Sequence, residues 1–177
     1  MCGEWLCVGL ATGLIGWIYG TTLWLLKGPA VYIGCLSAAA LLAWWSYWAC
    51  VFTPPGYNEQ DQGNLEYATW CDKCGWYRPE RSHHCRQCGR CVLRMDHHCP
   101  WIAGCVGHFN HGHFIRFIFY AWLGCTISLG GLLATLWTAI QDDQIGEYLW
   151  GFLLVFDTAL TFFLALVLGI MLVMTAW

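Results

Sequence analysis

An α-helical polytopic membrane protein, with four spanning helices and a cysteine-rich polar segment between the second and third, is the fold class this sequence predicts. Three observations predict it. The 177 residues are 58% hydrophobic and only 11% charged, too little polar material to clothe a soluble core. Four apolar stretches, Trp5 to Leu26, Val31 to Phe52, Phe114 to Ile140 and Tyr148 to Ala176, each come near or exceed the roughly 20 helical residues that cross about 30 Å of hydrocarbon. One long polar segment, Thr53 to His113, separates the second from the third and holds seven of the twelve cysteines.

The first stretch is too long for the apolar core of a signal peptide, lacks a basic flank and is followed at once by a second span, so it reads as a retained helix. Lys27, Gly28 and Pro29 break the first pair of spans and Gln141 to Glu147 the second, giving two helical hairpins whose short loops lie on one side. The long segment on the other side carries Lys73, Arg78, Arg81, Arg86, Arg90 and Arg94, whereas the short loops set Lys27 against Asp142, Asp143 and Glu147. The positive-inside bias therefore places the long segment and both termini in the cytosol. The expected division is 1–52 for membrane helices 1 and 2, 53–113 for the cytosolic cysteine-rich domain, and 114–177 for helices 3 and 4. A net charge of -3 offers no basic face to phosphates. A segment tethered to membrane at both ends and lacking a recognition helix is no nucleic-acid finger.

Thr53-Pro54-Pro55-Gly56-Tyr57 ends the second span, and a polar linker follows from Asn58 to about Glu66. From Cys71 to Cys105 no apolar helical periodicity exists; short alternating pieces suit β-hairpins around metal. Thiols at this density in a reducing compartment argue for metal ligation over disulfides. Zinc takes four tetrahedral ligands, often supplied as closely spaced pairs. The pairs are Cys71-x2-Cys74 and Cys85-x2-Cys88, the single cysteines Cys91 and Cys105, and the intervening histidines His83, His84, His97 and His98. Two Cys3His sites would consume six cysteines and two histidines, leaving one cysteine of the seven. A spare thiol beside histidine in a metal-rigidified segment is a nucleophile candidate; spacing alone does not say which one it is. Cys2, Cys7, Cys35, Cys50 and Cys125 lie in or beside apolar spans and read as small packing residues. Acylation of Cys2 or Cys7 near the membrane is the other reading.

Cys71-x2-Cys74, Pro79-x-Arg81-Ser82-x-His84-Cys85-x2-Cys88-x2-Cys91, Asp96-His97-His98-Cys99-Pro100-Trp101 and Cys105-Val106-Gly107-x2-Asn110 together resemble the signature of the DHHC-type palmitoyltransferases. The match covers about a third of the chain, and the two-plus-two membrane helices resemble that family's architecture. The resemblance implies one zinc on Cys71, Cys74, His84 and Cys91 and a second on Cys85, Cys88, His98 and Cys105. It implies Cys99 as the acyl-carrying nucleophile, His97 as its base and Asp96 as the group that orients the imidazole, a triad logic. Strand alternation supports part of this, since His97 and Cys99 share a face while His98 turns away. The same alternation turns Asp96 from His97, so their contact rests on the resemblance.

The implied activity is transfer of a long-chain fatty acyl group from acyl-CoA, typically palmitoyl-CoA, to membrane-associated protein substrates with cytosolic cysteines, at the lipid bilayer of the endoplasmic reticulum or Golgi. Gly124, by the family's layout, falls where chain length is limited, though close packing by small residues also accounts for it and for Ser128, Gly130 and Gly131. Trp101 reads as a wall of the acyl cavity or an interfacial anchor. Arg94 and Arg116, with Arg81, Arg86 and Arg90, offer cations to CoA phosphates or to anionic lipid. Asp157, deep in the fourth span, is a functional candidate or the acceptor of a hydrogen bond from a neighbouring Trp, Thr or backbone group. His108, His111 and His113, at the entrance to the third span, suit interfacial or capping roles ahead of a catalytic one, and the thirteen tryptophans suit interfacial belts.

Three departures from the family pattern stand out. Pro54-Pro55-Gly56 replaces Asp-Pro-Gly, Gly104 replaces an asparagine before the last zinc cysteine, and Thr175-Ala176-Trp177 stands where the family goes on to Thr-Thr-x-Glu. They leave a competing expectation, a non-catalytic membrane zinc module that recruits protein partners.

Overall fold

The computed structural model describes residues 2–26, 28–58, 69–142 and 148–176; most of the expected linker, Lys27 and the stretch Asp143 to Glu147 lie outside them. Four of its helices are long and apolar enough to cross a membrane: α1 (Cys2–Leu25), α2 (Ala30–Phe52), α3 (His111–Gln141) and α4 (Tyr148–Ala176). They coincide with the four apolar stretches, and the protein is a multi-pass membrane protein. Leu41, Trp45, Val31 and Met174 are each more than 70% exposed, which suits a hydrocarbon solvent and would be costly in water.

α3 starts three residues earlier than hydropathy indicates. Asn110 accounts for the shift: its Oδ1 accepts the Gly107 N–H at 2.8 Å, its Nδ2 donates to the Cys105 carbonyl at 2.9 Å, and its own carbonyl accepts the N–H groups of His113 and Phe114. The first helical turn is thus fixed by a buried amide and is polar, which an apolar window misses.

Two compact units divide the chain, Met1–Ala11 with Ser46–Phe114 and Thr12–Trp45 with Ile115–Trp177. Among its described residues the second holds helices and no strand. Leu25, Leu132, Ala139 and Leu154 form one buried layer and Ile18, Cys125 and Ala165 another. Gly131 lets Tyr32 and Leu26 pack against the α3 backbone, where any Cβ would collide, and the Tyr32 hydroxyl donates to the Ile127 carbonyl at 2.9 Å. The small residues of α3 at this level serve helix packing. Asp157 is buried and accepts the Trp17 Nε1–H at 3.0 Å, the tryptophan bond that was one of its two expected explanations.

Among its described residues the first unit holds three two-stranded antiparallel hairpins: β1 (Thr69–Cys71) with β2 (Trp76–Arg78), β3 (His83–Cys85) with β4 (Arg90–Val92), and β5 (His97–Cys99) with β6 (Gly104–Val106). Each strand is three residues long, below what an isolated hairpin needs to persist in water. Their apolar core is small: Cys85, Val92 and Cys105 with Tyr57, Cys88 and Met95 around them. Such pieces require a further cross-link, as small scaffolds generally do.

Candidate metal centres and the spare thiol

The hairpin registers assemble the ligands. His84 pairs with Cys91, and His98 with Cys105, so each pair presents one imidazole and one thiol across a ladder. The other two ligands of each cluster come from the turn of the preceding hairpin, Cys71 and Cys74 for the first and Cys85 and Cys88 for the second. Each cluster therefore ties the turn of one hairpin to the strands of the next.

Within the first cluster the Cys74 sulfur is 3.1 Å from His84 Nδ1 and 3.5 Å from the Cys91 sulfur, and the Cys71 sulfur is 3.8 Å from His84 Nδ1. In the second, His98 Nδ1 is 3.4 Å from Cys85, 3.5 Å from Cys88 and 3.5 Å from Cys105, with Cys88 and Cys105 3.4 Å apart. A tetrahedron built on zinc bond lengths has edges of about 3.6 Å between nitrogen and sulfur and about 3.8 Å between sulfurs. The four donors of each cluster all lie within 4.8 Å of one another, so both clusters fit a zinc ion. The donor chemistry agrees: burial, and then the neighbouring Cys71 and Cys74 sulfurs, push the Cys91 thiol up to about 12. Such crowding of thiolates is what a dication relieves.

Cys99 belongs to neither cluster. Its place is nevertheless that of a zinc ligand, because Cys71, Cys85 and Cys99 recur at an interval of 14 residues and each closes the first strand of a hairpin. The sulfurs of Cys71 and Cys85 accept backbone N–H groups two and three residues on, from Lys73 and Cys74 and from Gln87 and Cys88. The Cys99 sulfur accepts those of Trp101 and Ile102 in the same way. Gly75, Gly89 and Ala103 end the three turns with φ of 73°, 69° and 51°. Alanine in this left-handed region is uncommon, and at Ala103 it is held by an N–H bond to the Pro100 carbonyl at 3.2 Å. The third turn thus reproduces a zinc knuckle, but buried Ile102 stands where the second cysteine would be.

Cys99 is 6% exposed, and burial pushes its thiol up while the Trp101 and Ile102 amides pull it partly back. It therefore needs a base to react at neutral pH. His97 lies on the same strand face as Cys99, and its Nδ1 is 3.0 Å from Asp96 Oδ2. Alternation along a strand did not provide that contact. Asp96 precedes the strand, after a turn in which Arg94 takes φ 43°, and its N–H bonds to Val106 at 3.0 Å; the bend frees its side chain to reach the neighbouring imidazole. His111 brings a second ring nitrogen to 4.0 Å from the same carboxylate oxygen, and Phe114 packs edge-on against the His97 ring at 5.3 Å.

Three contributors carried no motif. Tyr47 on α2 is fully buried, and its hydroxyl donates to the Trp101 carbonyl at 2.6 Å, so it holds the turn that surrounds Cys99. Glu4 on α1 places Oε1 3.0 Å from His98 Nε2; its only signal was an acidic residue immediately before the first apolar stretch. His111 carried no signal beyond its type. Trp101 is half exposed, and Arg94 and Arg116 are exposed. On α3, in the helical unit, Gly124 faces the Ala39 side chain at ordinary contact distance.

Four apolar helices and two interleaved Cys3His clusters, with one cysteine of the segment uncommitted, define a membrane protein carrying a module for two zinc ions. The DHHC palmitoyltransferase family model matches residues 64–177, and the chain belongs to that family. Among curated proteins it is 47% identical over 79 residues to Palmitoyltransferase ZDHHC16 of Mus musculus, a match covering 45% of this chain and 22% of that protein. It is 50% identical over 97 residues to Palmitoyltransferase PFA4 of Candida glabrata, covering 53% and 25%. With Palmitoyltransferase ZDHHC16B of Danio rerio it shares 39% over 107 residues, covering 59% and 28%. The matched stretches thus span about a quarter of the length of these relatives.

Proposed function

We propose that the chain transfers a long-chain fatty acyl group from acyl-CoA to protein cysteines through an acyl-Cys99 intermediate. One observation carries this reading: Cys99 is the one thiol of the cysteine-rich segment outside the two ligand clusters, two residues after a histidine whose Nδ1 meets a carboxylate. Asp96 fixes the His97 tautomer so that Nε2 is free to accept a proton. His97 takes the Cys99 proton, the thiolate attacks the thioester carbonyl, and the CoA thiolate leaves with that proton returned to it. A substrate thiol then gives its proton to His97 and attacks the Cys99 thioester, and Cys99 leaves as the thiol. Bond type hardly changes in either step, so positioning and proton handling are the catalytic task.

The zinc ions, when bound, supply a cross-link that orders the three hairpins and contribute no reacting group. Trp101 and Gly124 would line the path of the acyl chain, and Arg94 and Arg116 would meet CoA phosphates. The topology follows the division 1–52, 53–113 and 114–177, with the middle part and both termini cytosolic, in endoplasmic reticulum or Golgi membranes. The substrates are membrane-associated proteins with cytosolic cysteines.

The purified chain in detergent, given palmitoyl-CoA, gains the mass of one palmitoyl group that hydroxylamine removes, and Cys99→Ser does not. Full labelling of Cys99→Ser overturns the assignment. Two bound zinc ions without any acyl adduct on the intact wild-type chain would identify a non-catalytic zinc module instead.

A further inference from the structure

The two clusters differ in what stands behind their histidines. His84 and His98 both turn Nδ1 to the sulfurs, which leaves Nε2 as the outward nitrogen of each ring. For His98 that nitrogen is 3.0 Å from Glu4 Oε1, a contact across 94 residues of sequence. The pair is largely covered, with side-chain exposures of 8% for His98 and 22% for Glu4. Among the described residues no such partner meets Nε2 of His84.

The geometry points to Glu4 as the positioning residue of the second zinc site, its carboxylate accepting the Nε2–H of His98 and so holding the ring with the Nδ1 lone pair toward the metal. An imidazole that ligates through Nδ1 must carry its proton on Nε2, and a carboxylate there fixes that tautomer, locks the ring rotation and makes the ligand more basic. The Glu4 carboxylate lies in the first turn of α1, where the positive end of the helix dipole also favours it. The contact fastens the beginning of the first membrane helix to the metal ligand adjoining Cys99, and it does so at one site of the two.

Removing such an outer partner typically weakens metal binding about 10- to 100-fold. The test is zinc release from the full chain in detergent, followed with a chromogenic chelator and with no acyl-CoA present. Wild type releases two equivalents. In Glu4→Ala one equivalent leaves about 10- to 100-fold faster, and the other, coupled to it only through the shared β3–β4 hairpin, is accelerated markedly less. Glu4→Gln falls between, because its amide oxygen still accepts the Nε2–H but carries no charge. In the cobalt-substituted protein Glu4→Ala shifts the ligand-field bands of one site only. Trp5→Ala, an exposed neighbour on the same turn, leaves both rates unchanged. Wild-type release of both equivalents from Glu4→Ala and Glu4→Gln overturns the proposal. So does equal acceleration of both equivalents shared with Trp5→Ala, which marks general loosening. Because metal release is read without substrate, these results stand apart from success or failure of the acyl-transfer reading, and a wild-type chain lacking two zinc equivalents would instead remove its premise.

Discussion

Replacing Tyr47 by phenylalanine probes how the Cys99 turn is held. The ring is fully buried and its shape is preserved by Tyr47→Phe, so no cavity opens and the change isolates the hydroxyl. That hydroxyl donates to the Trp101 carbonyl at 2.6 Å and lies 3.4 Å from the Val8 carbonyl. Without it the Trp101 carbonyl, part-buried, loses its donor, at a cost of about 1–3 kcal/mol. The same peptide unit belongs to the turn whose Trp101 and Ile102 amides face the Cys99 sulfur. If half or more of the loss is felt in the reacting geometry, single-turnover formation of acyl-Cys99 slows by roughly 2- to 150-fold, since about 1.4 kcal/mol corresponds to a factor of ten. The measurement is rapid-quench intact-mass analysis with palmitoyl-CoA, beside thermal unfolding in detergent. A variant that loads at the wild-type rate and unfolds within about 0.5 kcal/mol of wild type would refute the claim that this bond positions the turn.

Four further outcomes follow from the same contacts. His97→Ala slows acyl-Cys99 formation on the order of 100-fold or more with two zinc ions retained, read by mass and metal analysis; an unchanged rate removes His97 as the base. Cys91→Ala, which deletes a donor from the first cluster, abolishes binding of that ion and also weakens the second, because the β3–β4 hairpin supplies ligands to both; independent sites would leave one equivalent fully intact. Gly107→Ala would set a Cβ 2.7 Å from the Pro55 carbonyl oxygen and 2.8 Å from Val92, and is expected to cost about 1–3 kcal/mol by overpacking, seen as a lowered Tm. With burial raising the Cys99 thiol above its ordinary value, its alkylation by iodoacetamide keeps climbing as pH rises from about 7 to 9, since more thiolate forms with each increment; a plateau below pH 8 contradicts that environment.

Much of this was readable along the chain. Apolar runs the length of a bilayer gave the four helices, because a spanning helix must satisfy its own backbone and face lipid with every outward side chain. The count of metal donors was equally legible: Cys71, Cys74, Cys85, Cys88, Cys91 and Cys105 are what two Cys3His clusters need, and one cysteine remains. A stronger signal lay in the same residues, since the recurrence of Cys71, Cys85 and Cys99 at equal intervals, with His84 and His98 and then Cys91 and Cys105 repeating in step, marks Cys99 as a ligand position left without its partners. The start of α3 was misplaced by three residues because Asn110 begins the helix by side-chain hydrogen bonds that hydropathy does not register.

Composition and spacing determined the membrane class, the hairpin segment and the number of metal sites, because each depends on residue type at fixed separations along one strand or helix. The tertiary structure decided the contact of Asp96 with His97, which only the family resemblance had implied, and alone decided those of Tyr47 with the Trp101 carbonyl and of Glu4 with His98. The first turns on a local bend after a left-handed residue, and the other two join positions 54 and 94 residues apart. Contacts of that kind are set by how the chain folds back on itself, and no periodicity in a single sequence encodes them.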